Sequence, residues 1–120
     1  MKKISFDFDS TLDNKHIQDF ALQMISEGYD VHIVTSRPPE TDPDWKWDNS
    51  DLFEVANKLG INKNSIHFTN FKPKYMFFEH SDFLFHLDDD NIETTEINYH
   101  TKVKAIQFDE NWKMNCLKSI

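Results

Sequence analysis

Residues 3–12, Lys-Ile-Ser-Phe-Asp-Phe-Asp-Ser-Thr-Leu, contain an alternating segment that turns abruptly polar. Residues 4–8 alternate between apolar and polar side chains, which is the pattern of a β-strand. The polar residues 9–11 cannot continue a buried strand, so we predict that a loop begins there. This boundary leaves two acidic side chains, Asp7 and Asp9, at the carboxyl end of the first strand.

The rest of the chain alternates between strand-like and helix-like segments. The predicted strands are residues 4–8, 31–34, 65–68, 83–87 and 103–108, and the predicted helices are residues 17–25, 50–59, 73–80, 91–98 and 112–117. Nearly continuous apolar strands separated by helices are typical of a parallel sheet covered on both faces. We therefore predict an α/β fold: a single Rossmann-like three-layer domain over residues 1–120, with a central five-stranded parallel sheet.

The segments between these elements are too short to hold an inserted cap domain. One helix and one strand occupy residues 12–34, and a loop and one helix occupy residues 36–65. Residues 38–49 hold three of the four prolines and are not expected to form regular structure. Trp45 and Trp47 in that loop have two interpretations: stacking on a base or sugar ring, or anchoring the loop in a small cluster.

Composition limits the class of protein. The chain has 120 residues, a formal charge of −8 and a hydrophobic fraction of 38%, which suits one folded domain and argues against passive wrapping of nucleic acid. No apolar run approaches the ~18 residues of a membrane span, and the strand-like start predicts no secretory leader. The single cysteine, Cys116, excludes an internal disulfide and favours a cytoplasmic location.

Chemically active side chains cluster at one predicted edge of the sheet. Ligands bind at the carboxyl ends of parallel strands, where the first strand delivers Asp7 and Asp9, the second Thr35, and the fourth Asp88 and Asp89. Converging carboxylates repel one another unless a cation lies among them. A set of oxygen ligands favours Mg²⁺.

A hydroxyl and an ammonium group would complete a site for a transferring phosphoryl group. The preferred hydroxyl is that of Thr35, with Ser36 as the alternative. Lys74 is preferred over Lys72 as the ammonium because it lies just inside the helix that precedes the fourth strand. Arg37 is expected either to contact the substrate or to form a surface ion pair.

Four motifs in this order resemble those of the haloacid dehalogenase-like phosphatase superfamily. Residues 7–12 (DFDSTL) are similar to its DxDxT signature, and residues 34–37 (VTSR) to its second motif, a Ser or Thr that ends a hydrophobic strand. Residues 72–74 (KPK) resemble the lysine-bearing third motif, and residues 87–89 (LDD) the acidic fourth. The resemblance covers residues 4 to about 90.

This resemblance implies a magnesium-dependent phosphatase that forms a phospho-aspartate on Asp7. Asp9 would protonate the leaving oxygen and then deprotonate the attacking water. The implied ligands of Mg²⁺ are Asp7, the backbone carbonyl of Asp9, Asp88 and, in support, Asp89. The implied ligands of the phosphoryl group are Thr35 and Lys74. The chain departs from the superfamily at Ser10, where glycine is commonest, and in the short loop after Asp9, where the usual flap is nearly missing.

Two other functions compete with this one. A phosphoacceptor receiver domain uses similar side chains, but its paired acids come first, whereas here the DxD pair comes first and the acid pair last. A catalytically silent domain of the same fold would bind a phosphorylated ligand or a partner protein, and would be expected to lack one of the acids, all of which are present. Phosphotransfer to an acceptor other than water, and dehalogenation, stay formally open.

The expected substrate is a phosphorylated small molecule or a nucleic-acid end. Relatives with minimal caps often act on large substrates, because nothing covers their site. Residues 28–37 are also similar to the phosphatase half of polynucleotide end-repair enzymes and to small nucleotidases. The acidic charge argues against a long polymer.

Overall fold

The computed structural model describes residues 1–40, 43–44 and 48–120. The strands are β1 (Lys3–Phe6), β2 (Asp30–Thr35), β3 (Ile66–Phe68), β4 (Phe85–Asp88) and β5 (Lys104–Gln107). The helices are α1 (Lys15–Ser26), α2 (Ser50–Leu59), α3 (Tyr75–Phe78), α4 (Asn91–His100) and α5 (Trp112–Lys118). No helix in these ranges is long and apolar enough to cross a membrane.

The strands form one parallel sheet in the order β3-β2-β1-β4-β5, as the alternation of elements predicted. β1 lies in the middle, with Phe6 in register with Ile33 of β2 and Leu87 of β4. All three side chains are fully buried. This order places β1, which is followed directly by Asp7, between the strands that end at Thr35 and Asp88.

The helices cover both faces of the sheet and confirm the three-layer architecture. On one face, α1, α2 and α5 contribute Phe20, Leu52 and Cys116 to the same buried cluster. On the other face, Phe78 of α3 and Ile97 of α4 belong to a second cluster. Every helix longer than one turn in the described ranges therefore belongs to one of the two layers, and none forms a cap.

The third helix is shorter than the prediction of residues 73–80, because it has only four residues, Tyr75–Phe78. Phe78 packs edge-on against Phe83, with ring centroids 5.4 Å apart, and His80 adopts a left-handed conformation with φ of 60°. The chain therefore reverses after one turn and enters β4 two residues later than predicted. Lys74 lies immediately before this helix rather than inside it.

Two histidines of neighbouring strands form a pair on the α3 side of the sheet. The rings of His32 and His67 are nearly parallel, 9° apart, and a hydrogen bond of 2.9 Å joins His32 Nδ1 to His67 Nε2. Phe83 packs edge-on against His32, and Phe77 lies against His67. The two rings therefore pack against each other and against aromatic residues on this side of the sheet.

Acid should destabilise the protein through His67. Burial, followed by the neighbouring His32 and Lys3, lowers the pKa of His67 from 6.5 to about 4, against a partial offset from Asp30. The unfolded chain therefore binds this proton first, so stability is complete above about pH 6.5 and is lost as the pH falls towards 4. Urea unfolding across this range should show the fall, and His67→Gln should show less of it. Parallel curves for the two proteins would contradict the assignment.

Candidate active site

A cavity of about 320 Å³ opens at the carboxyl edge of the central strands. The residues that line it are Asp7, Asp9, Ser10, Ser36, Phe71, Lys72, Lys74, Asp88, Asp89, Asp90 and Glu93. Five of the six residues that the sequence nominated for the site therefore meet in one place. The exception is Thr35.

Lys74 joins the acids of the two central strands. Its Nζ lies 2.8 Å from Asp7 Oδ1 and 2.6 Å from Asp88 Oδ2, and all three residues are buried. The backbone also ties the strand ends, since the Asp7 amide donates to the carbonyl of Leu87 at 2.8 Å. Glu93 of α4 accepts from the Lys74 amide at 3.2 Å and fixes the turn that carries the lysine.

A second polar pair holds Asp88 from inside the sheet. His86 and Asp88 point to the same face of β4, because side chains alternate along a strand. His86 Nε2 lies 2.8 Å from Asp88 Oδ2, and its Nδ1 lies 2.8 Å from the hydroxyl of Ser5 in β1. The Asp90 amide donates to the other carboxylate oxygen at 3.0 Å. The sequence analysis missed His86 and Ser5, although polar residues two positions before each strand-end aspartate were the available signal.

Burial and neighbouring charges shift the pKa values of Asp7 and Asp88 in opposite directions. Burial raises the pKa of Asp7 well above its usual range, and Lys74 offsets this only in part, while Asp88 adds to the rise. For Asp88 the effect of burial is outweighed by His86 and Lys74, which hold the pKa below its usual range. Burial alone would lower the pKa of Lys74, but Asp7 and Asp88 raise it. The two acids therefore favour the protonated form of Lys74.

The acidic side chains fit a divalent cation. One carboxylate oxygen from each of Asp7, Asp88 and Asp89 lies within 4.8 Å of the other two. All are hard oxygen donors, the type that Mg²⁺ prefers. One lysine cannot balance three carboxylates, and Asp88 adds to the rise that burial causes in the pKa of Asp7. A cation at these oxygens would favour the ionised form of Asp7.

Arg37 holds the carboxylate of Asp9. Its Nη2 and Nε donate to the two oxygens of Asp9 at 2.7 and 3.0 Å, and it binds Asp51 of α2 at 2.7 and 3.0 Å. The guanidinium lies over the ring of Phe8, 5.1 Å from its centroid, and Arg37 is only 8% exposed. An ion pair was one of the two expectations for Arg37 and is observed: the guanidinium is buried, whereas the side chains of Asp9 and Asp51 are 54% and 59% exposed.

The turn after β1 is tight. Ser10 adopts a left-handed conformation with φ of 59°, the region that favours glycine, and its amide donates to Asp13 at 3.2 Å. The Leu12 amide returns to the carbonyl of Asp7 at 3.1 Å. One turn therefore separates Asp9 from α1, in agreement with the short loop seen in the sequence.

The two candidate hydroxyls lie in different environments. Thr35 is fully buried, and its Oγ1 accepts from the Arg37 amide at 3.2 Å, whereas Ser36 lines the cavity. The two candidate lysines differ as well: Lys74 is buried against the acids and Lys72 is exposed at the cavity. Trp45 and Trp47 lie outside the described residues.

Cys116 does not belong to this site. It lies in α5 and is fully buried in the core on the α1 side of the sheet. Burial raises the pKa of its thiol to about 12. The thiolate needed for nucleophilic chemistry is therefore scarce at neutral pH.

Comparison with known proteins returns no relative of this chain. No protein-family model matches it, and neither a curated protein nor a solved structure is similar to it. The resemblance to the haloacid dehalogenase-like superfamily therefore depends on the four sequence motifs alone.

Replacing Lys74 should destabilise the fold much more than replacing Lys72. Lys74→Met leaves two buried carboxylates without their cation, which we expect to lower the free energy of unfolding by about 3 kcal/mol or more. Lys72→Met, at an exposed position, should change it by about 0.5 kcal/mol or less. Urea denaturation of both variants at neutral pH measures the difference. Equal losses would show that the buried contacts of Lys74 contribute nothing to stability.

Proposed function

We propose that this chain is a magnesium-dependent phosphohydrolase of the haloacid dehalogenase-like type, with Asp7 as its nucleophile. The observation that carries the proposal is the meeting of Asp7, Lys74, Asp88 and Asp89 in one cavity at the carboxyl edge of the parallel sheet. A nucleophilic carboxylate, a fixed ammonium and a cation site are the components that phosphoryl transfer requires.

The residues divide the work of the first step. Asp7, Asp88, Asp89 and the backbone carbonyl of Asp9 would hold Mg²⁺, which neutralises charge on the substrate phosphate when bound. Lys74 fixes Oδ1 of Asp7 at 2.8 Å and orients the carboxylate. An oxygen of Asp7 forms a bond to phosphorus while the bond from phosphorus to the leaving oxygen breaks. Asp9 gives its proton to that oxygen.

The second step reverses the role of Asp9. The carboxylate of Asp9 takes a proton from a water molecule, and the water oxygen attacks phosphorus. The bond between Asp7 and phosphorus breaks, which releases inorganic phosphate and restores both aspartates to their first states. In the structure both oxygens of Asp9 accept from Arg37, which matches the carboxylate that this second step uses rather than the protonated acid of the first step.

The substrate class proposed for this site is a phosphorylated small molecule or a phosphorylated nucleic-acid end. Such substrates suit a cavity that no cap covers among the described residues. We also propose a cytoplasmic location, which suits the single buried thiol of Cys116.

The first test is the release of phosphate from an aryl phosphate. We expect turnover with Mg²⁺ and none after removal of divalent cations with EDTA. Asp7→Asn should abolish turnover and leave the fold intact, because an amide keeps the shape of the carboxylate but is a poor nucleophile. Circular dichroism provides the control for folding.

Two results would count against the proposal. Turnover in metal-free protein would remove the role of the acidic cluster. A protein that binds phosphate esters with Mg²⁺ but never hydrolyses them would be the catalytically silent alternative.

Asp9→Asn should slow an alkyl phosphate far more than an activated aryl phosphate, because only the alkyl leaving group needs a proton. General acid catalysis is worth about 10²–10⁴-fold, so the two substrates should separate by that order. Steady-state rates on p-nitrophenyl phosphate and an alkyl phosphate measure the gap, and phosphoenzyme should accumulate.

Asp51→Asn is the matched control for this substitution. It removes the other carboxylate bound by Arg37 but lies outside the cavity lining. It should leave the ratio of the two rates unchanged. An equal loss on both substrates in Asp9→Asn, without trapped phosphoenzyme, would make Asp9 an organiser of the site rather than its acid.

A further inference from the structure

The loop between β3 and α3 is fastened to the loop after β2 by its backbone. Three amides of the first loop donate to three consecutive carbonyls of the second. The bonds are Thr69 to Thr35 at 2.8 Å, Phe71 to Ser36 at 2.7 Å and Asn70 to Arg37 at 3.3 Å. The two loops therefore form one unit at the rim of the cavity.

This attachment holds Phe71 in an unfavourable backbone conformation. Asn70 and Phe71 are consecutive left-handed residues, with φ of 56° and 64°. Asparagine tolerates this region, but a bulky residue does so at a cost of order 1–3 kcal/mol. The side chain of Phe71 is 67% exposed and lines the cavity. Strain of this kind concentrates at ligand-binding positions.

Phe71 is also the only apolar residue that lines the cavity in the described parts of the chain. The other ten lining residues are charged or polar. Lysine, serine and a bound cation suit the phosphate end of a substrate, but they offer no apolar contact to the leaving group. Phe71 supplies that contact, and the flat face of its ring favours another planar ring.

The acids at the same cavity narrow the choice of leaving group. Asp89, Asp90 and Glu93 line it together with Phe71. A leaving group that carries further phosphates would meet this negative charge. A ring-bearing leaving group without extra anions fits both features.

We propose that Phe71 is a specificity-determining residue that stacks on a planar ring in the leaving group. The substrates it favours are nucleoside monophosphates and aryl phosphates rather than phosphate esters of aliphatic alcohols. This inference rests on the proposed function of the site.

The test compares kcat/KM for adenosine monophosphate, phenyl phosphate and glycerol phosphate with Mg²⁺. Stacking of a base on an aromatic side chain is worth about 1–3 kcal/mol. Phe71→Ala should therefore lower kcat/KM for a ring-bearing substrate relative to glycerol phosphate by about 5- to 150-fold, mainly through KM. Comparison of the two ring-bearing substrates shows whether a base or a phenyl ring reaches Phe71.

Three further variants sharpen the result. Phe71→Trp should keep the preference for rings, and Phe71→Leu should lose most of it, because leucine is apolar but not planar. Met76→Ala removes an exposed apolar side chain of α3 outside the cavity lining and should leave the preference unchanged. A preference that survives in Phe71→Ala, or that leucine fully restores, would overturn the stacking.

A binding experiment separates this inference from the proposed function. Calorimetry with Mg²⁺ compares adenosine monophosphate and glycerol phosphate on Asp7→Asn, with and without Phe71→Ala. If the wild-type protein hydrolyses none of the substrates, the proposed function fails. Tighter binding of adenosine monophosphate than of glycerol phosphate that is lost in Phe71→Ala would still support the stacking. Binding that is the same with and without Phe71→Ala would overturn it.

Discussion

The ammonium group of Lys74 is the contact on which the architecture of the site depends. It lies between two buried carboxylates that belong to adjacent strands and comes itself from the turn before α3. Without a cation at this point, the ends of β1 and β4 would bring like charges together in a poorly solvated place. The lysine makes it possible for a parallel sheet to concentrate acids at the edge where its strands end.

The contact of Lys74 with two acids stabilises the site but does not neutralise all of its negative charge. One positive charge lies between two acids and cannot neutralise both, and Asp89 adds a third acid to this excess of negative charge. Asp88 is secured on both oxygens by His86, Lys74 and the Asp90 amide. Asp7 is held less completely, and its raised pKa follows from burial that its neighbours do not offset. The surroundings therefore stabilise the ionised form of Asp7, the proposed nucleophile, less than that of Asp88.

The fold and most of the site were predictable because three of the four motifs lie at the end of a strand. Strand order, layers and the meeting of Asp7 with Asp88 follow from apolar periodicity and from the rule that parallel strands present their carboxyl ends together. The length of α3 was not predictable, since it depends on the packing of Phe78 against Phe83.

Contacts between segments that are distant along the chain could not be predicted from the sequence either. Arg37 meets Asp9 and Asp51 across 28 and 14 positions, and no local pattern encodes such a pairing. Whether Thr35 or Ser36 faces the cavity depends on the exact position of the strand end, because successive side chains of a strand point to opposite sides. The hydrogen bonds that position Phe71 join backbone groups, so the residue types did not predict them.

The fastening of the two loops has a consequence for how this protein tolerates change during evolution. The side chains of Ser36, Arg37 and Phe71 are held in one unit, because the backbone of each of these residues takes part in the hydrogen bonds between the loops. An insertion into either loop would shift all three at once, so these segments should accept substitutions but resist changes of length. New specificities would then arise here by exchange of single side chains, whereas length variation would collect elsewhere on the surface.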